Sequence, residues 1–196
     1  MVTAREASYA IYGAFRLARF DANGVQYFDN TPESFWHSFW AAAIALPAYA
    51  LLLLMRLADA PVAAGAGMVL LVEGIAYVAS WFAYPLAIFY VARGFNRFHV
   101  YYRYIAAYNW AVILQVGLLL GVTAVDASGL FPPNLGAMLS LAGTVAIFAY
   151  QWFIARAAFE ATIGGALALV ALDLTLGIAI NGWANRILMA GGGQAG

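Results

Sequence analysis

The sequence predicts an all-α fold: a polytopic membrane bundle of five transmembrane helices, preceded by an amphipathic helix at the membrane interface. Three observations predict it. Of the 196 residues, 65% are hydrophobic and only 9% are charged, against roughly a quarter charged in a soluble domain. Mean hydropathy is +0.82. The few charges are spaced so that they bound five apolar runs, each able to supply the roughly 20 residues that cross about 30 Å of hydrocarbon.

The first thirty residues are the most polar part. Thr3 and Glu6 have capping-box spacing, so a short helix is expected to start there. Ala4, Ala7, Ile11, Ala14, Phe15 and Ala18 recur at helical spacing, while Arg5, Glu6, Arg16 and Arg19 take other faces. That pattern suits a helix lying on a membrane surface, with a helix that packs on the bundle as the alternative. The turn signal Asn23-Gly24 follows, then Thr31-Pro32-Glu33, a cap with Pro at the first helical position. Residues 1–30 are therefore expected to be a cytoplasmic or interfacial segment, and 31–190 the transmembrane domain.

Using the charges as rulers, the spans fall at about 34–57, 62–92, 104–126, 134–156 and 162–185. Asp59 to Arg93 encloses 33 residues, too few for two crossings and a turn, so it is one long span with a candidate kink at Pro85. The fourth run opens on the breaker Phe131-Pro132-Pro133-Asn134. The Gly-rich tail, 191–196, carries little to order it and is expected to be flexible. With a cytoplasmic N-terminus and an outward C-terminus, seven of the nine basic residues (Arg5, Arg16, Arg19, Arg93, Arg97, Arg103 and Arg156) lie inside, leaving Arg56 and Arg186 outside. The first span begins too late and lacks the flanks of a cleavable signal peptide, so the chain is expected to stay anchored. Richness in Ala, Gly and Arg without Lys suggests a bacterial, inner-membrane protein.

Composition also excludes classes of chemistry. Nine basic residues balance nine acidic ones, which leaves no basic surplus for nucleic acid. There is no Cys, hence no disulfide or thiolate metal site, and no Lys, hence no Walker A loop or Schiff base. His37 and His99 lack a third ligand, so no metal, haem or other cofactor is expected. No catalytic motif is present either: there is no Gly-x-Ser-x-Gly, no His-Glu-x-x-His, and no acidic loop cluster for a metal-diphosphate. The expectation is a protein that is not an enzyme.

Acids inside spans are functional candidates by default, because charge in hydrocarbon is costly. Glu73 and Asp173 each fall about ten residues into a span, roughly 15 Å deep, and Gln115 reaches a similar depth. They are expected to form one midplane polar layer. With no Arg or His at that depth, desolvation would keep the acids protonated and donating to Gln115 or to backbone carbonyls. Gln151 falls nearer the cytoplasmic end, beside Arg156 and Glu160, which could pair on one helix face. Gly117 and Gly121 form a Gly-x-x-x-Gly, a site of close helix packing within or between subunits. Trp36, Trp40, Arg93, Arg97, Arg103 and Trp152 crowd the predicted cytoplasmic side, as interface anchors or a contact surface.

One resemblance adds to this. Tyr150, Gln151, Trp152 and Phe153, then Arg156 and Glu160, then Gly164, Gly165, Ala166, Leu167, Ala168, Leu169 and Asp173 resemble the last two helices of bacterial Yip1-like membrane proteins. The basic stretch Arg93 to Arg103, leading into Tyr104 and Tyr108, is similar to that family's loop before its third span. The likeness covers about a third of the chain. The long polar N-terminal domain and Asp-Leu-Tyr-Gly-Pro segment of eukaryotic members are absent, so their role in vesicle traffic is not implied. What the resemblance implies is a non-enzymatic membrane protein that associates with itself. The functional expectation is accordingly an integral protein of the lipid bilayer that assembles with itself or another membrane protein. The alternative is a small proton-coupled transporter or channel using Glu73 and Asp173.

Overall fold

A computed structural model describes residues 2–59, 62, 64–129 and 132–192, and none of these forms a strand. Seven α-helices follow in order: α1 (Ala4–Ala18), α2 (Pro32–Ser38), α3 (Trp40–Asp59), α4 (Ala66–Gly94), α5 (Tyr101–Ala127), α6 (Pro133–Ala157) and α7 (Ile163–Gly192). Short 3-10 turns lie at Ala22–Tyr27 and Phe98–Val100. Five stretches are long and apolar enough to cross a membrane, α2 and α3 counting together as one. This is the architecture of a polytopic membrane helical bundle. At 1.5 Å per residue the stretches are about 36 to 45 Å long, more than the hydrocarbon needs, so they must tilt or project.

The boundaries follow local chemistry. Thr31 caps α2 by accepting from the Ser34 N–H at 3.1 Å, with Pro32 in the first turn. The first crossing is interrupted at Phe39, where the Ser38 hydroxyl donates to the Phe35 carbonyl at 2.6 Å. Pro85, a candidate kink, interrupts nothing: α4 is helical from Ala66 to Gly94, and the Tyr101 hydroxyl donates to the Pro85 carbonyl at 3.0 Å. The carbonyl that Pro85 itself frees is that of Trp81, one turn earlier, because proline has no N–H to give it. Gly191 and Gly192, expected in a flexible tail, end α7, whereas 193–196 and the breaker residue Phe131 lie outside the described residues.

The N-terminal segment docks on one end of the bundle. Its helix opens on the Thr3–Glu6 capping box. The buried face is Ala10, Gly13, Ala14 and Leu17, packed toward α5 and α6, with the Tyr150 hydroxyl donating to the Ala14 carbonyl at 2.7 Å. Ala4 and Phe15, expected on the apolar face, are exposed, because the bundle surface and not the apolar periodicity sets which face is covered. The Ala22–Tyr27 turn lies so close to α1 that a Cβ on Gly24 would stand 2.7 Å from the Gly13 carbonyl oxygen, and one on Gly13 would stand 2.6 Å from Tyr27 Cβ. Asp21 caps this turn at the Asn23 N–H (3.0 Å) and accepts from Arg16 Nε at 2.7 Å. That Arg16 hydrogen bond holds the Asp21 carboxyl below its usual range, and the Thr3 backbone does the same for Glu6.

α5 is the central helix, touching α1, α2, α3, α4 and α6, while α7 closes the bundle against α4 and α6. Its first half carries the buried residues, from Tyr101 to Gln115, and its second half is open. The main core therefore gathers at the aromatic, Arg-rich end. A smaller cluster at the other end joins Val69, Val72 and Ala76 of α4 to Ala184 and Leu188 of α7.

Candidate functional site

The two intramembrane acids do not share a layer. α4 begins at Ala66, so Glu73 is only about 10 Å from one end of the bundle, whereas Asp173 is about 15 Å from the other, since α7 runs the opposite way. Glu73 is 2% exposed and forms an ion pair with Arg56, near the end of α3. The Tyr49 hydroxyl donates to its second oxygen at 3.1 Å. This corrects the expectation that no cation reaches Glu73: the long Arg56 side chain crosses the gap between helices. Glu73 therefore faces an opposite charge supplied by the neighbouring helix.

Asp173 has neutral partners. The Tyr108 hydroxyl of α5 donates to Oδ1 at 2.6 Å, and the Gln151 amide of α6 donates to Oδ2 at 2.8 Å. Gln151 Nε2 is also 3.3 Å from the Gln115 Oε1, so three helices meet at one carboxylate. Gln115 thus belongs with Asp173, two side chains away, and not with Glu73. Two buried atoms in this network, Gln115 Nε2 and Gln151 Oε1, have no hydrogen-bond partner. Unpaired buried polar atoms are uncommon and costly.

The network borders a cavity of about 250 Å³ between α3, α4, α5, α6 and α7. Asp173, Gln115 and Gln151 supply polar groups to its lining, and Tyr49, Tyr77, Trp81, Tyr84 and Tyr108 supply aromatic ones. Among its described lining residues Asp173 is the one carboxylate, and there is no Arg or His. The Tyr84 ring stacks on Tyr108 at 4.3 Å between centroids, and its hydroxyl meets that of Tyr104 at 2.5 Å, so the donor to Asp173 sits in a rigid aromatic column. Tyr49 lines the same cavity, placing the Glu73 pair one side chain behind its wall. A carboxylate with neutral donors, opening on an aromatic-walled space, can take up a proton or a small cation there.

The other candidate residues scatter. A Cβ on Gly117 or Gly121 would meet nothing within 4 Å among the described residues, and both border a groove shared with Leu139 of α6. Trp36 is 62% exposed and Trp40 also faces outward, but the Arg residues of the proposed contact surface are engaged within the chain. Glu160 draws in Arg103 at 2.9 Å and Arg97 at 3.4 Å, and Arg93 lies over the Phe89 ring at 4.6 Å. Trp152 Nε1 donates to the Ile163 carbonyl at 3.4 Å. The expected Arg156–Glu160 pair does not form. Glu160 has left the helix, with φ at +56°, and Arg156 donates to the Ala161 carbonyl at 2.7 Å.

The residues that sequence reasoning missed are Tyr49, Arg56, Tyr108 and Gln151. The signal for two of them was register: Arg56 and Glu73, and Gln151 and Asp173, each lie within about one helical turn of mirror positions across the turn that joins their helices. Among the described residues, no three His, Asp or Glu side chains converge to hold a metal ion. No family model, no curated protein and no solved structure matches the chain.

Proposed function

We propose that the chain is a small membrane-embedded carrier or channel whose working group is Asp173, which binds and releases a proton or cation inside the bilayer. The observation that carries this reading is the contrast in compensation: Glu73 has Arg56, while Asp173 has only Tyr108 and Gln151 and borders the cavity. Ionisable side chains within membrane spans that face an internal cavity mark ion pathways.

The amides give protonation a structural consequence. With Asp173 ionised, both carboxylate oxygens accept, which turns the Gln151 NH2 toward Asp173 and leaves Gln151 Oε1 and Gln115 Nε2 unpaired. Protonated Asp173 becomes a donor. A proton on Oδ2 turns Gln151 over to accept at Oε1 and Gln115 over to donate to that same oxygen, leaving Gln151 Nε2 and Gln115 Oε1 unpaired. A proton on Oδ1 is donated to the Tyr108 oxygen instead and leaves the amides as they are.

The test is proton flux into liposomes holding the purified protein and a pH-sensitive dye. Wild type and Glu73→Gln are expected to dissipate an imposed pH gradient, and Asp173→Asn is not. Equal flux through Asp173→Asn would remove Asp173 from the path.

A second reading, assembly with another copy or another membrane protein, is favoured by the bare Gly117 and Gly121 face, beside the exposed Leu118. Small residues that no described residue covers leave room for a helix from outside. The Yip1-like resemblance supports self-association, and the bias of Arg toward one end supports a cytoplasmic N-terminus in a bacterial inner membrane. Native mass measurement of Gly121→Leu checks it: a drop from oligomer to monomer is expected, and an unchanged mass contradicts it.

A further inference from the structure

We infer that the Asp173 cavity takes a small organic ammonium ion bearing a hydrogen-bond acceptor, the chemistry of an amino alcohol. This rests on the reading of Asp173 as the exchanging acid and adds the class of molecule it exchanges.

The carboxylate supplies the counter-charge, and Gln151 Oε1, which has no donor, supplies a second acceptor for an N–H. Gln115 is 8% exposed, lines the cavity, and its Nε2 has no acceptor. Both amide atoms are sealed off from the cavity as the side chains stand, so a ligand reaches them by turning the two amides toward it, and one that then leaves neither unpaired must donate at one end and accept at the other. The walls select further. Tyr77, Trp81 and Tyr84 are among the lining residues, and aromatic rings attract an ammonium through the ring quadrupole and tolerate its carbon substituents. A hard metal cation is poorly served, because it wants about six or more oxygens at close range. Here Tyr108 and Gln151 already occupy the two carboxylate oxygens. An anion would meet Asp173 with no cation lining the cavity to offset it. The volume of about 250 Å³ equals roughly eight waters, ample for an amino alcohol of a few carbons.

The test is calorimetric titration of the whole purified chain in detergent with four probes of similar size: ethanolamine, ethylammonium, ethylene glycol and glycolate. Ethanolamine is expected to bind at least tenfold more tightly than ethylene glycol, and severalfold more tightly than ethylammonium, while glycolate does not bind. Asp173→Asn is expected to lose at least tenfold in ethanolamine affinity. Gln115→Leu is expected to lose severalfold for ethanolamine and little for ethylammonium. The probe series needs no variant, so it decides the matter even if a substitution unfolds the chain. Equal binding of ethylene glycol and ethanolamine would overturn the ammonium assignment. No binding by any probe, with Asp173-dependent proton flux intact, would overturn the ligand class and leave the carrier reading standing. Absence of both binding and flux would overturn the two together.

Discussion

Glu73 and Asp173 have the same functional group and both sit in apolar helices, yet their surroundings make them opposites. Glu73 is sealed against Arg56 and Tyr49, so its charge is neutralised by a neighbour that cannot lose its proton. Asp173 accepts from a phenol and an amide, which orient it without cancelling its charge, and it faces open space. The difference teaches that an acid within a span is read by its partners and not by its depth. A compensated carboxylate joins helices, and an uncompensated one beside a cavity is available to exchange.

The comparison breaks most visibly if Arg56 is removed. Arg56→Leu leaves Glu73 buried and unpaired, and stripping one partner from a buried pair costs on the order of 3 kcal/mol. A large fall in Tm is expected in detergent, with most of the loss recovered when Glu73→Leu is added. A Tm unchanged by Arg56→Leu would mean that the pair compensates nothing. At the other acid the losses are smaller. Tyr108→Phe removes the donor to Asp173 Oδ1 and is expected to cost about 1 to 2 kcal/mol. Asp173→Asn keeps an acceptor for Tyr108 and an amide for Gln151, so about 1 kcal/mol or less is expected, read as Tm against wild type. A loss from Asp173→Asn as large as that from Arg56→Leu would erase the distinction between the two acids.

The smallest effect belongs to the acids outside the membrane. Arg16 and the Thr3 backbone lower the carboxyls of Asp21 and Glu6, so in the folded chain both stay ionised to lower pH than in the unfolded one. Their stabilisation is complete above about pH 4, the ordinary carboxyl range, and is lost as pH falls through the lowered folded values. Hydrogen exchange should show residues 2–30 loosening only below that range. Loosening already between pH 6 and pH 5 would contradict it.

The fold was readable because hydrocarbon imposes a length and forbids most charge, so Glu33, Arg56, Asp59, Arg93 and Arg156 mark where helices must approach their ends. Capping chemistry at Thr3 and Thr31 was equally legible, being local. The site was half legible. Charge in an apolar run singled out Glu73 and Asp173, but one-dimensional depth placed them together when the late start of α4 sets them toward opposite ends. Arg56 and Gln151 were discounted because each lies near a helix end, although the helices on either side of a short turn bring such residues near their mirror positions. Tyr108 was hidden among the many tyrosines of the aromatic end. Gly117 and Gly121 show the reverse case, a local motif for packing that the described residues leave uncovered.

The central claim is that Asp173 exchanges a proton and Glu73 does not. Treating the reconstituted protein with a hydrophobic carbodiimide, which attacks protonated carboxyls inside membranes, and mapping the adduct by mass spectrometry tests it most directly. The account predicts modification at Asp173 that grows as pH falls, with Glu73 untouched until Arg56 is replaced. Modification of Glu73 in the wild-type chain, or an Asp173 that stays unmodified at every pH, would contradict it.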